Sequence, residues 1–214
     1  MKTALSLILL FAVSFAHATE NIKFYFPNED IWKMIEVYSK ASGQKFVIDP
    51  GVRGKASILV SEPVTLEEAF NQLSTALALN GFAISKQGDT MVVKSARNIQ
   101  RDLVEISTEL PSLRPERMVT WIYTFKNLPA DQVNRDLRIL CSKDGEMNVF
   151  TARNQIIITD WTTNLNRVAA LFKELDKPVD PTIAKIVATA KKERESTKKE
   201  ATNKTEDKTP KVEK

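Results

Sequence analysis

Apolar residues recur along this chain in two rhythms, and the rhythms divide it into two blocks. Ile22–Phe26 reads as a short strand. Pro27-Asn28-Glu29-Asp30 then opens a helix with Asn28 as the expected N-cap. Ile31, Met34, Ile35, Tyr38 and Ala41 form one apolar helical face, and Gly43 closes it. Phe46–Ile48 and Ala56–Val60 read as strands on either side of the turn Asp49-Pro50-Gly51-Val52-Arg53-Gly54. Thr65-Leu66-Glu67-Glu68 is a capping box ahead of Leu66, Ala69, Phe70, Leu73, Ala76 and Leu77, and Asn80-Gly81 ends that helix. Phe82–Ser85 and Thr90–Lys94 make a hairpin. The order is strand-helix-strand-strand-helix-strand-strand, a module over residues 20–96.

The second block begins at Met118–Phe125, where Val119, Trp121, Tyr123 and Phe125 alternate with Thr120, Ile122 and Thr124. The spacing predicts a helix over Pro129–Cys141 that turns Val133, Leu137 and Leu140 inward. Met147–Phe150 and Gln155–Thr159 follow as strands. Asp160 is the expected cap of a last helix carrying Leu165, Val168, Ala169, Phe172 and Leu175, which Lys177-Pro178 ends. This is a β-α-β-β-α, KH-like module over residues 118–178. Between the blocks, residues 97–117 hold Pro111 and Pro115 with dense charge, apart from a short strand near Leu103–Ile106. They read as a linker that few contacts cross. Beyond the second block, residues 179–214 read as a short helical turn at Ile183, Ile186 and Val187, then a disordered charged tail. The fold class is α+β, in two small modules.

Composition removes much chemistry from consideration. The chain of 214 residues has one histidine, His17, and one cysteine, Cys141. Histidine-based triads, intramolecular disulfides and cysteine–histidine metal clusters are excluded on those counts. Cys141 reads as a semi-buried thiol near a helix end. The formal charge of +4 is unevenly placed: residues 19–187 are neutral by sequence, and residues 188–214 carry +3. The tail mixes signs and reads as a solvated, solubilising segment rather than a nucleic-acid arm.

Residues 1–18 read as a secretory signal peptide. Lys2 supplies the charge, Ala4–Phe15 the apolar run, and Ala16-His17-Ala18 the small-x-small site, with cleavage expected after Ala18. The apolar run is shorter than the ~20 residues a spanning helix needs. Export without disulfides favours a bacterial periplasm.

Certain stretches resemble the N-terminal periplasmic domains of bacterial secretins, the family of ring-forming channels in type II secretion and type IV pili. In the first module these are Phe24–Phe26, Asp30-Ile31 and Lys45-Phe46-Val47-Ile48-Asp49-Pro50-Gly51-Val52-Arg53-Gly54-Lys55. In the second they are Tyr123-Thr124-Phe125-Lys126-Asn127-Leu128-Pro129-Ala130, Asn154-Gln155-Ile156-Ile157-Ile158-Thr159-Asp160 and Leu175-Asp176-Lys177-Pro178. The resemblance implies a non-enzymatic interaction component of a secretion or pilus machine, periplasmic and associated with an outer-membrane secretin complex. It implies as partners an inner-membrane platform component or a secretin, and it puts a homo-oligomeric ring among the expected assemblies. It also implies that Ile22, Phe24, Tyr25 and Phe26 form an edge strand for a partner, since edge strands pair through the main chain. The chain stops after the second module with no run of alternating strands for a barrel, so it is not expected to form a pore alone.

Two other functions compete. Gly51-Val52-Arg53-Gly54 is a literal G-x-x-G, the loop KH domains use on nucleotides. It stands between strands here, in the module without the KH-like order, and the neutral body offers no phosphate-binding stripe. A small periplasmic enzyme with paired carboxylates is the other reading, and modules of this size leave little room for a deep cleft. The expectation is therefore no nucleic acid, no small-molecule substrate, no cofactor, no metal and no catalytic residue.

Overall fold

The computed structural model describes residues 21–102 and 104–206. The signal sequence expected at 1–18 and the last residues of the tail lie outside them. In the first module the elements run β1 (Asn21–Ile22), β2 (Phe26–Asp30), α1 (Ile31–Ser42), β3 (Lys45–Ile48), β4 (Lys55–Ile58), β5 (Val64–Thr65), α2 (Leu66–Leu79), β6 (Phe82–Gln87) and β7 (Thr90–Ser95). β1 pairs with β5 and β2 with β4, both antiparallel, while β3-β7-β6 is a mixed sheet with β3 parallel to β7. Helices α1 and α2 close a core containing Phe24, Ile31, Met34, Leu73 and Leu77.

Local chemistry explains the boundaries. The predicted strand Ile22–Phe26 is split, because Lys23–Tyr25 lie between β1 and β2 outside either ladder. Residues 26–30 are strand rather than helix start, and the cap of α1 is Asp30, whose carboxylate accepts the Trp32 N–H at 2.8 Å. Asn28 instead occupies a positive-φ position within β2, at +53°, where the register with β4 shifts. Asparagine tolerates that region better than most side chains. Thr65 caps α2 as expected, its Oγ1 accepting the Glu68 N–H at 3.2 Å, while the Glu68 carboxylate accepts from Gln72 and Arg114. Gly88, at φ +57°, starts the two-residue hairpin turn between β6 and β7.

The second module contains β9 (Met118–Thr124), α4 (Ala130–Leu137), β10 (Glu146–Phe150), β11 (Gln155–Trp161) and α5 (Thr162–Leu175). They follow α3 (Ala96–Asp102) and β8 (Glu105–Ser107), and α6 (Pro181–Glu206) comes last. The sheet order is β10-β11-β9-β8, with β8 parallel to β9. Val119 and Trp121 on the inner face of β9, with Phe125 just past its end, pack with Ile156, Ile158, Leu165 and Phe172. The predicted helix to Cys141 is shorter, passing into a 3₁₀ turn at Arg138–Leu140.

Two expectations need correction. Residues 97–117 are not a bare linker. They hold most of α3 and all of β8, and their last part is strapped to α5. Asn166 Nδ2 donates to the Pro111 carbonyl at 2.9 Å, and the Thr162 N–H donates to the Arg117 carbonyl at 2.9 Å. Contacts also cross the boundary, through a buried cluster of Ala83, Ala96 and Ile99 with Met118 and Trp161. Arg97 donates to the Lys143 carbonyl at 3.1 Å, and Gln100 to Glu146 at 3.2 Å. The tail also differs from expectation: α6 is helical from Pro181 to Glu206. Asp180 accepts the Thr182 N–H at 2.7 Å, so Asp180-Pro181 is an N-cap followed by a proline at the first helical position. Alanine, lysine and glutamate beyond it are good helix formers.

Ile99 is almost fully buried in the seam and belongs to neither module's main core. Ile99→Ala is expected to cost about 2–5 kcal/mol through the cavity it leaves. Thermal unfolding should then separate from one transition toward two. Unchanged stability would show that the seam contributes nothing to the fold.

Candidate partner-binding surfaces and the loops that shape them

The residues expected to form the partner edge do not all face outward. Phe24 and Phe26 are buried and stack edge-to-face, with centroids 4.8 Å apart. Phe24 also meets Tyr38. Ile22 packs partly against the same core, and Tyr25 alone of the four is well exposed, at 47%. The phenylalanines therefore anchor the segment, leaving Tyr25 as its exposed side chain among the four.

The G-x-x-G loop is committed to the fold. Asp49 accepts the Gly51 N–H at 2.7 Å, forming the tight turn. Val52 is fully buried, and its carbonyl accepts the Trp32 indole N–H at 2.6 Å. Gly54 has φ +143°, its carbonyl accepts the Ile31 N–H at 3.1 Å, and a Cβ there would press on Asn80. The loop joins the start of α1 to the end of α2, as a structural joint rather than a nucleotide clamp.

Three polar residues do comparable work in the second module. Asn154, at φ +53°, accepts the Ala130 N–H at 2.7 Å and donates to the carbonyls of Phe125 and Leu128 at 2.9 and 2.8 Å. It fixes the loop from β9 into α4. Asp160 is fully buried and was expected to cap α5. Its carboxylate instead reaches back to the β10 side, accepting from Ser142 N–H at 2.8 Å and from the Ser142 hydroxyl. It also takes the Trp161 N–H at 2.8 Å and Asn164 Nδ2 at 2.6 Å. A Cβ on Gly145 would collide with this carboxylate, which explains the glycine. Asp176 accepts the N–H groups of Lys126 at 2.9 Å and Asn127 at 2.6 Å, and Tyr123 donates to it at 3.4 Å. Burial opposes ionisation of Asp176, but these donors outweigh it and hold the carboxyl below its ordinary range.

Cys141 is a poor nucleophile. Burial, with the Asp160 charge second, pushes its thiol up to about 11. Among the described residues no group of histidine, cysteine, aspartate and glutamate could hold a metal ion, and no helix is long and apolar enough to cross a membrane.

A concavity lies where the modules meet. It has a volume of about 860 Å³ and is lined by β4, α2, the strap before β9 and the start of α5. Leu59, Leu79 and Leu113 give it an apolar, exposed wall, and Trp161 lies at its base. The sequence offered no direct signal for this cleft, because its walls come from both modules.

Residues 24–93 match the family model described as "GspD-like, N0 domain". Over 162 residues the chain is 25% identical to Secretin XcpQ of Pseudomonas aeruginosa, covering 76% of this chain and 23% of that protein. It is 24% identical to Secretin GspD of Vibrio cholerae, covering 74% and 24%. The chain is thus similar to the N-terminal regions of type II secretins. It spans about a quarter of the length of these curated secretins. The secretin fold is seen again in the Klebsiella pneumoniae type II secretion outer-membrane complex of PulD, PulS and the PulC HR domain. That likeness has a TM-score of 0.63 at 22% identity, over 71% of this chain and 26% of the other. The α+β reading of both modules agrees with that secretin fold.

Asp176 gives this region a pH signature. Its folded pKa lies below the unfolded value of ~3.9, so its contribution is complete above that value and is lost as pH falls through the folded one. Asp176→Asn should lower the melting temperature at pH 7 and reduce its fall between about pH 5 and 3. Residual slope will come from the other carboxyls held low: Glu36 by hydrogen bonds from Lys40 and Lys33, Asp131 by one from Arg135, and Asp180 by the Thr182 N–H. An identical pH profile in the variant would remove Asp176 from the account.

Proposed function

We propose that this protein is a non-enzymatic, periplasmic assembly component of a type II-like secretion or pilus machine. The match to secretin N-terminal regions over about three quarters of the chain carries the reading. Export through the segment Met1–Ala18, with cleavage after Ala18, brings it to that compartment. The committed G-x-x-G loop and the raised thiol of Cys141 favour a binding role over nucleotide or nucleophilic chemistry.

The partner is an inner-membrane platform component, met along Ile22–Phe26. Phe24 and Phe26 pin this segment to the core, so its main chain is held ready to pair with an incoming strand. β1 is paired on one side by β5, and a partner strand would extend that ladder. Tyr25 supplies the exposed side chain.

Main-chain pairing and side-chain contact make different demands. Tyr25→Pro removes a main-chain N–H that an incoming strand would use and should weaken binding to the platform's periplasmic component on the order of tenfold or more. Tyr25→Ala keeps the donor and should weaken it less. Calorimetry reads both, after circular dichroism shows that each variant folds. Equal binding by a folded Tyr25→Pro variant would take this edge out of the interface.

A further inference from the structure

A polar pocket of about 310 Å³ lies where α3 meets the loop into β10, and it shares no lining residue with the apolar cleft. Arg97 and Arg101, one helical turn apart, and Lys143 line it with exposed cationic side chains. Arg97 gives one N–H to the Lys143 carbonyl at 3.1 Å, which holds its guanidinium at the pocket. None of the three cations makes an ion pair among the described residues. Two carboxylates share the space. Glu146 is occupied, accepting from Gln100 at 3.2 Å and from Asn148 at 3.0 Å. Asp144 is not: it is only 9% exposed, and its Oδ2 is enclosed without a hydrogen-bond partner. A buried carboxylate oxygen without a donor is costly to keep.

The pocket therefore lacks two things at once, an anion for its cations and a donor for Asp144. Three cations against two carboxylates leave one net positive charge, which a single carboxylate neutralises. Inorganic phosphate meets the cations but offers Asp144 no N–H. A free amino acid offers both groups, yet its ammonium cancels its carboxylate and leaves the net charge in place. The last residue of a polypeptide supplies one carboxylate and one peptide N–H on the same Cα, with no further charge. Guanidinium forks match a carboxylate in two-point geometry, and free chain ends are a recurring target of recognition. The volume is that of a small-ligand site rather than of a docking face.

We propose that this pocket binds the C-terminal end of a partner polypeptide, its carboxylate held by Arg97, Arg101 and Lys143 and its last peptide N–H donated to Asp144. The site spans the module boundary: α3 supplies the arginines, and the second module supplies Lys143 and Asp144. A bound chain end ties α3 to the loop into β10, and a ligand that binds only the folded form raises stability. This site is separate from the Tyr25 edge and works without it.

Acetyl-diglycine, a minimal chain end, is the probe, titrated into the purified protein and followed by backbone amide chemical shifts. Saturable shifts are expected at residues 97–101 and 142–146. Acetyl-diglycine amide, which lacks the carboxylate, should bind at least about tenfold more weakly. Arg101→Ala should weaken binding of the free acid by a similar factor, and its exposed side chain leaves the fold intact. Asp144→Ala should weaken acetyl-diglycine and leave acetate unchanged, because acetate brings no N–H. Removal of an unpartnered buried carboxylate should not lower the melting temperature, so this variant stays folded. Absence of saturable shifts, or equal binding of acid and amide, would overturn the inference. So would tighter binding of inorganic phosphate, which would make the pocket a plain anion site, or of free glycine, which would make it an amino-acid site.

Discussion

The architecture depends on one apolar seam. Trp161 and Met118, at paired positions of β11 and β9, meet Ala83, Ala96 and Ile99 across the module boundary. Domains of this size bury a modest share of their surface and are marginal alone. Joining two of them through an apolar cluster adds burial that neither core provides and fixes how they meet. The cleft follows from that meeting: its walls come from α2 and β4 on one side and from α5 and its strap on the other.

Within the second module the seam is positioned by polar residues that hold loops. Asp160 precedes Trp161 and takes four donors, which makes its burial tolerable without a cation. Asn154 and Asp176 fix the other end of the sheet through the loop between β9 and α4. These three residues sit in the stretches through which the chain resembles secretins. That likeness therefore reflects architecture, since each residue satisfies backbone groups that would otherwise be stranded.

Much of this was readable in the sequence, and what was not has definite physical causes. Alternation at Val119–Phe125 and the 3.6 spacing at Leu165–Phe172 report burial directly, and both elements are as predicted. Pro27-Asn28 has the form of a helix start and points to Asn28 as the cap, whereas the pairing of β2 with β4 moves the cap to Asp30. Phe24 and Phe26 read as a partner edge, but burial of alternate side chains is equally what a core strand shows. Asp160 looked like a cap from position alone, and its real partners at 142 and 164 are distant in the chain or on the helix. The helical tail carried its signal in Asp180-Pro181, outweighed by charge density. The seam was hidden because Ile99 and Trp161 belong to different modules, each without a periodic neighbour to explain it.

The proposed assembly role needs the first module and the inter-module cleft held in fixed relation, as parts of one rigid body. Nitrogen-15 relaxation of the backbone amides tests that claim most directly. The account predicts a single rotational correlation time for amides of residues 21–96 and 118–175, with the seam residues as rigid as either core. Two distinct correlation times, with elevated mobility at Ala96–Asp102, would contradict it.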